Sequence, residues 1–253
     1  MQRLLAAALL FCGLAAAQDR RVPVIVELFT SEGCSSCPPA DLLLARMEHT
    51  QPVAGARIVA LEEHVDYWNQ LGWTDPFSSP QYRARQNDYA VLAHTDNIYT
   101  PQMVVNGQAG FVGDDVSHAY QEIAQAAQAQ TATVDLAASP DAGDPEVVKL
   151  SVRVSHAKNA KIRAANLYLA VTEDGLVANV SSGENAGRRL RHSAVVRSFG
   201  VIGSIDPHGS NVGQVVSTLR LPRDWRRENL RAVVFVQERE SLRITGAGVA
   251  ELR

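Results

Sequence analysis

The chain of 253 residues carries 24 Lys and Arg against 27 Asp and Glu, which gives a formal net charge of −3. This charge is uneven, because residues 18–130 carry a net charge of −8 and residues 131–253 a net charge of +4. A charge of +4 spread over the second half is too small to indicate nucleic-acid binding, and we expect no nucleic-acid partner. The length and the charge asymmetry favour two domains that meet near residue 130.

The N-terminus predicts a removable export signal. Residues 1–3 form a short positive segment, residues 4–14 an apolar segment, and residues 15–17 an A-x-A cleavage site. The apolar segment is too short to span a bilayer as a helix. We therefore predict a signal peptide over residues 1–17, cleaved after Ala17, and a soluble periplasmic or secreted protein that is not inserted in the membrane after cleavage.

Cys34 and Cys37 form a Cys-x-x-Cys motif, and the predicted cleavage leaves them as the two cysteines of the mature chain. The apolar run of residues 22–29 predicts a buried strand before the motif, and Pro38 after it suits the first turn of a helix. The positive end of that helix favours a thiolate at Cys34. Such a placement is typical of a redox site, with Cys34 as the attacking thiolate and Cys37 as the resolving thiol.

In an oxidising compartment these two cysteines are expected to form a disulfide. A disulfide with only two residues between its cysteines closes a very small loop, so it constrains the unfolded chain little. A reversible redox pair therefore explains the motif better than a structural staple does. An inert disulfide and one half of a metal site stay open as alternatives.

The rest of the first half alternates predicted strands and helices. Residues 56–61 predict a second buried strand, and Ser79 begins a second predicted helix. Asn106-Gly107 between apolar runs predicts a tight β-hairpin. One of the two acids at positions 114–115 is expected to cap a third helix, which runs to about residue 130.

Several separated motifs carry a resemblance to a known family. They are ELFTSEGCSSCPPAD at residues 27–41, HVDYW at 64–68, TPQMVVNG at 100–107, TEDG at 172–175 and GENAGRRLRH at 183–192. Together they resemble an uncharacterised family of secreted (periplasmic) thioredoxin-like bacterial proteins with a CSSCPPAD motif. The resemblance, and the order of strand, Cys-x-x-Cys, helix, strand, helix, Thr-Pro, hairpin and helix, implies an α/β thioredoxin-like domain over residues 18–130.

The resemblance also implies roles for single residues. It implies that Pro101 is a cis proline beside the disulfide, and that Thr100 and Pro101 present backbone to a bound thiol partner. It implies that Glu27, an acid inside an apolar strand, moves protons to and from the second cysteine. An ordinary trans proline at the start of a strand, and a Glu27 paired with a basic side chain, are the alternatives.

A polar and aromatic segment follows the second predicted strand, on the same edge of the sheet as the Cys-x-x-Cys motif. We expect His64, Asp66 and Trp68 to line one wall of the site. His64 is a candidate general base, or a third ligand beside Cys34 and Cys37 for copper or zinc. A histidine packed in the wall without either role is the commoner case, so we expect no resident metal and no cofactor besides the redox-active disulfide.

From Thr131 the side-chain periodicity changes from 3.6 to 2. Residues 146–155 and 165–171 alternate apolar and polar side chains. Turn signals separate further predicted strands near residues 191–199, 212–221, 230–238 and 243–250. The pattern predicts an all-β, sandwich-like domain over residues 131–253.

The opposite charges of the two halves favour docking of one half on the other. The densest basic cluster of the second half consists of Arg188, Arg189, Arg191 and His192. We expect this cluster to face the acidic first half, and a solvated strand edge is the alternative.

The function that these features predict is that of an exported thiol-disulfide oxidoreductase, which uses Cys34 and Cys37 on the thiols or disulfides of a protein partner. One alternative is a non-catalytic binding or scaffold protein with a structural disulfide. Another is a copper-handling protein that uses Cys34, Cys37 and His64 as ligands.

Overall fold

The computed structural model describes residues 21–158, 160–206 and 214–252. The predicted signal peptide and its cleavage site lie outside the described residues. Of the described residues, 43% are in strands and 19% in helices. None of the helices in these ranges is long and apolar enough to cross a membrane.

The described residues form thirteen strands and three α-helices. The first half contains β1 (Val22–Thr30), α1 (Pro38–Thr50), β2 (Ala56–His64), α2 (Pro80–Leu92), β3 (Gln102–Val105), β4 (Ala109–Val112) and α3 (Val116–Ala126). The second half contains β5 (Ala132–Pro140), β6 (Val147–His156), β7 (Ala165–Glu173), β8 (Leu176–Asn179), β9 (Arg189–His192), β10 (Val195–Ile205), β11 (Gln214–Arg220), β12 (Leu230–Glu238) and β13 (Ile244–Glu251). Short 3₁₀ turns lie at Asn69–Leu71 and Arg227–Asn229.

Eight of the strands form one mixed sheet, in the order β13-β12-β7-β10-β2-β1-β3-β4. On one side of it, β1 pairs in parallel with β2 and antiparallel with β3. The other side is antiparallel and comes from the second half of the chain. The two sides meet where β10 runs parallel to β2, with Val195 opposite Glu62. At the same junction the backbone N–H of Glu62 donates to the carbonyl oxygen of Ala194 at 2.9 Å.

The predicted fold class, an α/β thioredoxin-like domain followed by an all-β sandwich-like domain, is therefore wrong. Strands β7, β10, β12 and β13 extend the sheet of the first half instead of forming a separate sandwich. The physical reason is that side-chain periodicity shows which faces of a strand are buried, but it does not show which strands pair along its edges. β7 and β12 are buried along most of their length, as strands inside a sheet covered on both faces are.

Helices cover both faces of the first half of the large sheet. On one face α1 and α3 pack Leu44, Met47 and Ile123 against a cluster that includes Val26 of β1. On the other face α2 packs its tyrosines against a cluster that includes Phe29. Because helices cover both faces of β1, its side chains are buried on both sides, and this explains why the sequence of β1 is almost continuously apolar.

A three-stranded sheet, β11-β6-β5, packs on the second half of the large sheet. Here β5 lies so close to β13 that a Cβ on Gly246 would overlap the backbone carbonyl of Ala132. A glycine is required at this position, because any larger residue would push the two strands apart. The remaining strands, β8 and β9, pair with each other as a short hairpin.

Several local predictions are confirmed. The Asn106-Gly107 turn joins β3 to β4, and its two residues have φ of 45° and 68°, as a tight hairpin of this type requires. Ser79 caps α2 and Asp115 caps α3, each by accepting a hydrogen bond from a backbone N–H of the first turn. The third helix ends at Ala126, a few residues before the predicted end.

Candidate functional site

Cys34 and Cys37 lie in the turn between β1 and α1 and are joined by a disulfide. Both cysteines are fully buried. α1 begins directly after Cys37 with Pro38 and Pro39, whose missing N–H groups would have no intrahelical partner in the first turn. The Sγ of Cys34 lies 3.3 Å from the hydroxyl oxygen of Ser36, a group that can donate to a thiolate after reduction. The disulfide is therefore present at the start of a helix, as predicted.

The Thr100–Pro101 peptide bond is cis, as predicted. Trp68 connects this bond to the disulfide turn. Its Nε1–H donates to the Oγ1 of Thr100 at 2.8 Å. It also packs on Gly33, directly before Cys34, so closely that a Cβ on Gly33 would lie 3.1 Å from the Cβ of Trp68. Trp68 thus lies between the cis bond and the disulfide turn and contacts both segments.

A loop from the second half of the chain lies over the disulfide turn. It joins β8 to β9 and comprises residues 180–188, and we call it the covering loop. The Nδ2 of Asn185 donates to the carbonyl oxygen of Glu32 at 2.8 Å and to that of Cys34 at 2.9 Å. Asn185 is itself fully buried. The covering loop therefore contributes to the complete burial of the disulfide.

Two further hydrogen bonds hold the covering loop. The backbone N–H of Ser35 donates to the Oε2 of Glu184 at 3.0 Å. The hydroxyl of Ser182 donates to the carbonyl oxygen of Gly72 at 2.5 Å. Seven of the nine residues of the loop are exposed, and Val180 and Asn185 are buried. Hydrogen bonds, more than apolar packing, therefore keep the loop in place.

Five ionisable side chains form a buried group next to the disulfide turn, and we call it the acid–histidine cluster: Glu32, Glu62, His64, Asp75 and His192. The Nδ1 of His64 hydrogen-bonds with the Oδ2 of Asp75 at 2.7 Å, and its Nε2 lies 3.2 Å from the Oε1 of Glu62. The Nδ1 of His192 lies 2.7 Å from the same oxygen of Glu62, and its Nε2 lies 3.2 Å from the Oε1 of Glu32. The cluster joins the end of β2 to the end of β9.

Glu32 ties the acid–histidine cluster to the disulfide turn. Its backbone N–H donates to the Oδ2 of Asp75 at 2.8 Å. Its Oε2 accepts a hydrogen bond from the Nε1 of Trp73 at 2.7 Å. Because the carbonyl oxygen of Glu32 also accepts from Asn185, the cluster, the turn and the covering loop form one connected network.

Pairing within the cluster shifts the pKa values of acids and imidazoles in opposite directions. Burial alone would raise the pKa of Glu62, but the charges and hydrogen bonds of His192 and His64 lower it to about 2. Burial alone would lower the pKa of His192, but Glu62 and Glu32 raise it to about 9. In the same way Asp75 and Glu62 outweigh burial and raise the pKa of His64 well above its usual value.

Asp41, on the first turn of α1, is a further buried acid near the cluster. Its Oδ1 accepts a hydrogen bond from the hydroxyl of Thr30 at 2.6 Å. Burial and the negative charge of Glu62 raise the pKa of Asp41 to about 7. Its backbone N–H donates to the carbonyl oxygen of Cys37 at 3.1 Å. Asp41 is therefore partly protonated at neutral pH.

Glu27 lies on the face of the sheet that α2 covers. Its carboxylate accepts from the Nε of Arg85 and, at 2.6 Å, from the hydroxyl of Tyr89. The Nη1 of Arg85 also donates to the Oε1 of Gln237 at 3.0 Å. Burial and the negative charge of Glu27 raise the pKa of the neighbouring Glu63 well above its usual value. The contacts of Glu27 are thus those of a buried ion pair, the alternative that the sequence left open.

The structure also shows the contacts of Asp66 and of the predicted basic cluster. Asp66, expected in the wall of the site, pairs with Arg83 at 3.4 Å. His192 docks on the acidic first half through Glu62, as expected of the basic cluster. Its three predicted companions are exposed: Arg188, Arg189 and Arg191.

Sequence reasoning missed Glu62, Asp75 and Asn185 as site residues. A signal was present for Glu62, because it precedes His64 by two residues on a strand and so lies on the same face. A similar signal was present for His192, since β9 alternates exposed and buried positions and ends on it. Asn185 lies in a loop, where no periodicity marks the inward side.

Residues 25–237 match a family described as "Protein of unknown function (DUF1223)". The chain belongs to this family. The matched residues contain the disulfide, the covering loop and the acid–histidine cluster, so all three are within the family's part of the chain. Among the curated proteins compared with the chain, none matches it significantly.

Two solved structures are similar to the described fold. A crystal structure of a protein from Agrobacterium tumefaciens (AGR_C_4864) has a TM-score of 0.69 at 24% identity, over 92% of this chain and 96% of that one. HBP35 of Porphyromonas gingivalis has a TM-score of 0.65 at 16% identity, over 92% of this chain and 76% of that one. At these identities the similarity shows the fold alone, and it extends over both halves of the chain.

Proposed function

We propose that the protein is an exported thiol-disulfide oxidoreductase that acts on protein thiols through Cys34 and Cys37. The observation that carries the proposal is the Cys34–Cys37 disulfide at the start of α1, with Trp68 and Thr100 on one side and the covering loop on another. The signal-like N-terminal segment supports export to an oxidising compartment. The reaction needs no cofactor besides the disulfide.

In the proposed reaction a thiolate of the partner protein attacks the Sγ of Cys34. A bond forms between the partner sulfur and Cys34, the Cys34–Cys37 bond breaks, and Cys37 leaves as a thiolate that takes up a proton. A second partner thiolate then attacks the partner sulfur of this mixed disulfide, and Cys34 leaves and is protonated. The partner dithiol loses two electrons, and the Cys34–Cys37 disulfide gains them.

Local contacts support Cys34 as the sulfur that exchanges with the partner. The hydroxyl of Ser36 can donate to its thiolate, and the N-terminus of α1 adds a positive potential. Glu27 takes no part in the proposed proton transfer to Cys37. Its carboxylate accepts hydrogen bonds from Arg85 and Tyr89 on the face of the sheet that α2 covers, opposite to the face that α1 covers.

The covering loop makes the proposed reaction selective. Because both cysteines are fully buried, the loop has to move before a partner sulfur can reach Cys34. A small oxidant or reductant then reacts slowly, whereas a partner that displaces the loop reacts faster. We therefore propose a partner-dependent exchange protein and not a general oxidant.

A trapping experiment tests this function. In Cys37→Ser, the Cys34 thiolate can attack the disulfide of an oxidised partner and form the same mixed disulfide by the reverse of the proposed second step. Because Cys37 is absent and cannot release it, disulfide-linked adducts with partner proteins should accumulate and appear on non-reducing gels. Cys34→Ser is the matched control, because it keeps one cysteine in the same turn, and it should give few adducts. Equal adduct levels in the two variants, or adducts in neither, would contradict the proposal.

A structural disulfide in a non-catalytic binding protein is the second candidate, because the complete burial of both cysteines favours it. The equilibrium redox potential of the pair separates it from the first. The copper alternative has less support, since Cys34 and Cys37 are bonded to each other and neither sulfur is free as a thiolate ligand.

A further inference from the structure

Two histidines of the acid–histidine cluster direct a ring nitrogen at the same carboxylate oxygen. The Nε2 of His64 lies 3.2 Å, and the Nδ1 of His192 2.7 Å, from the Oε1 of Glu62. One ligand atom from each of these residues lies within 4.8 Å of the other two. Ligand atoms in a tetrahedral zinc site with bonds of about 2.0–2.1 Å are about 3.3 Å apart. Small side-chain shifts are therefore enough for the three to surround one ion.

The second ring nitrogen of each histidine faces another carboxylate. The Nδ1 of His64 hydrogen-bonds with Asp75 at 2.7 Å, and the Nε2 of His192 lies 3.2 Å from the Oε1 of Glu32. Asp75 is itself fixed, because it accepts from the backbone N–H groups of Glu32 and Phe77 at 2.8 and 2.9 Å. Metal-bound histidines almost always have such a partner, which orients the ring and fixes its tautomer. Both histidines of the cluster have one.

Two buried atoms of the cluster have no hydrogen-bond partner among the residues that the structure describes. The Oε1 of Glu32 and the Nε2 of His192 face each other but do not have hydrogen-bond geometry. A metal ion on the Nδ1 of His192 would fix the ring proton on Nε2, where a small rotation gives Glu32 a donor. A metal-bound His192 would thus donate the hydrogen bond that the Oε1 of Glu32 lacks.

The charge of the cluster also suits a divalent cation. Glu32, Glu62 and Asp75 place three carboxylates in a space closed to solvent. Burying carboxylates without compensation costs several kcal/mol each, so positive charge has to be present. One divalent ion held by two neutral imidazoles supplies as much positive charge as two imidazolium ions do.

We propose that Glu62, His64 and His192 bind one divalent transition-metal ion of the class that prefers imidazole and carboxylate ligands, with Zn²⁺ as its representative. Asp75 and Glu32 orient the two imidazoles from outside. The ion joins the two halves of the chain, because β2 supplies two of its ligands and β9 the third. This site does not depend on the disulfide reaction.

Zinc binding to the protein without its predicted signal peptide tests the site. This form lacks Cys12, and its Cys34–Cys37 disulfide is kept intact, so that no cysteine thiol is available as a ligand. The purified protein is stripped with a chelator and titrated with Zn²⁺. We expect one zinc per chain to be retained through gel filtration, and the Tm to rise when zinc is added. Protein that retains no stoichiometric zinc and shows no rise in Tm would overturn the proposal, and protons would then supply the positive charge.

Variants locate the ion. His192→Gln and Glu62→Gln each remove one ligand, so zinc retention should fall to background. Asp75→Asn changes only the outer partner of one histidine, and the zinc affinity should fall by about 10- to 100-fold. His118→Gln is the matched control, because His118 on α3 is 43% exposed, lies 3.6 Å from Glu122 and represents adventitious surface binding. Zinc lost in His118→Gln but kept in the ligand variants would contradict the assignment.

Circular dichroism and the Tm of the metal-free variants show whether each one folds. If both ligand variants fail to fold, Asp75→Asn decides the question, because it removes a charge and keeps the shape of the side chain. An unchanged zinc affinity in folded Asp75→Asn would then overturn the proposal, and a lowered affinity would support it.

Discussion

Asn185 is the residue on which access to the disulfide depends most. Its amide donates two hydrogen bonds to backbone carbonyls of the disulfide turn, while most of the covering loop around it is exposed. A hydrogen bond of this kind contributes about 0.5–1.5 kcal/mol net. By this measure Asn185 supplies about 1–3 kcal/mol of the free energy that keeps the covering loop closed.

Asn185→Ala should therefore make the disulfide easier to reduce. A loss of about 1–3 kcal/mol raises the population of the open loop, and with it the rate of reduction by dithiothreitol, roughly 5- to 150-fold. The rate is measured by alkylation of the released thiols. Ser181→Ala, at an exposed position of the same loop, is the control and should react like the unchanged protein. Equal rates in Asn185→Ala and the unchanged protein would show that the loop does not limit access.

Asp41 gives the stability of the protein a specific dependence on pH. The pKa of Asp41 is about 7 in the folded chain, against an ordinary value of 3.8. Between these values the folded state holds a proton that the unfolded state has lost, so stability falls as the pH rises towards 7. Glu62, His192 and His64 face this carboxyl, and Thr30 donates to it. Replacing the Asp41 carboxyl by a group that does not titrate should remove this fall in stability.

Asp41→Asn should accordingly gain stability over the unchanged protein as the pH rises. At about 1.4 kcal/mol per pKa unit, its advantage should grow by about 3 kcal/mol between pH 5 and pH 8. Urea unfolding of the metal-free proteins at both pH values measures this difference. Asp88→Asn, at an exposed position on α2, should show no comparable trend. An advantage that is constant with pH would mean that Asp41 does not titrate near neutrality.

Among the contacts between secondary-structure elements, those of Arg85 connect α2 to strands from both halves of the large sheet. Its guanidinium donates to Glu27 of β1, to Gln237 of β12 at 3.0 Å and to Tyr89 of its own helix at 2.7 Å. Four aromatic rings lie within 5.4 Å of its central carbon: Tyr89, Tyr168, Phe199 and Phe235. The helix is thus held by a buried charge and not by apolar packing alone.

Arg85→Met should lower the free energy of unfolding by about 3–5 kcal/mol, because it leaves the buried Glu27 carboxylate without its partner. Arg83→Met is the matched control on the same helix. Arg83 is 45% exposed and pairs with Asp66 near the surface, so its loss should cost about 0–1 kcal/mol. Urea unfolding measures both variants. Similar losses in the two would contradict a dominant role for the buried pair.

At the scale of the whole molecule, the two halves of the chain share one sheet and several buried contacts. β10 pairs with β2, and His192 is buried against Glu62. Arg231 also makes two hydrogen bonds of 2.9 Å to the carboxylate of Glu48 on α1. A fold built in this way should unfold as one unit, although the charge asymmetry of the sequence suggests two.

Residues 18–130 alone should therefore fail to fold. Their separation exposes the edge of β2 and leaves the buried acid Glu62 without His192. The intact protein should show one cooperative thermal transition by calorimetry, and the fragment none. A fragment with its own cooperative transition would show that the first half is an independent domain.

Much of the local structure could be predicted from the sequence. The disulfide, the cis bond before Pro101, the hairpin at Asn106-Gly107 and the cap at Ser79 all depend on residues close together in the chain. Each of them follows from local backbone chemistry or from motifs that resemble a family. These predictions are confirmed for that reason.

The joining of the halves could not be predicted in the same way. Whether β10 pairs with β2 or with another strand depends on contacts between residues far apart in the chain, and periodicity carries no information on them. For the same reason the sequence predicts that His64 lies near the disulfide and that His192 faces the first half, but it does not predict that His192 and Asp75 both pack against His64. Asn185 reaches the disulfide turn only because the β8–β9 hairpin docks there.

The redox potential of the Cys34–Cys37 pair decides whether the disulfide can exchange with protein thiols. The protein is equilibrated in glutathione buffers of defined potential, and the reduced fraction is measured by alkylation and mass spectrometry. We expect a midpoint between about −120 and −270 mV, the range of exchange-active disulfides. A pair that stays oxidised below about −300 mV would contradict the proposed exchange reaction and show that the disulfide is structural.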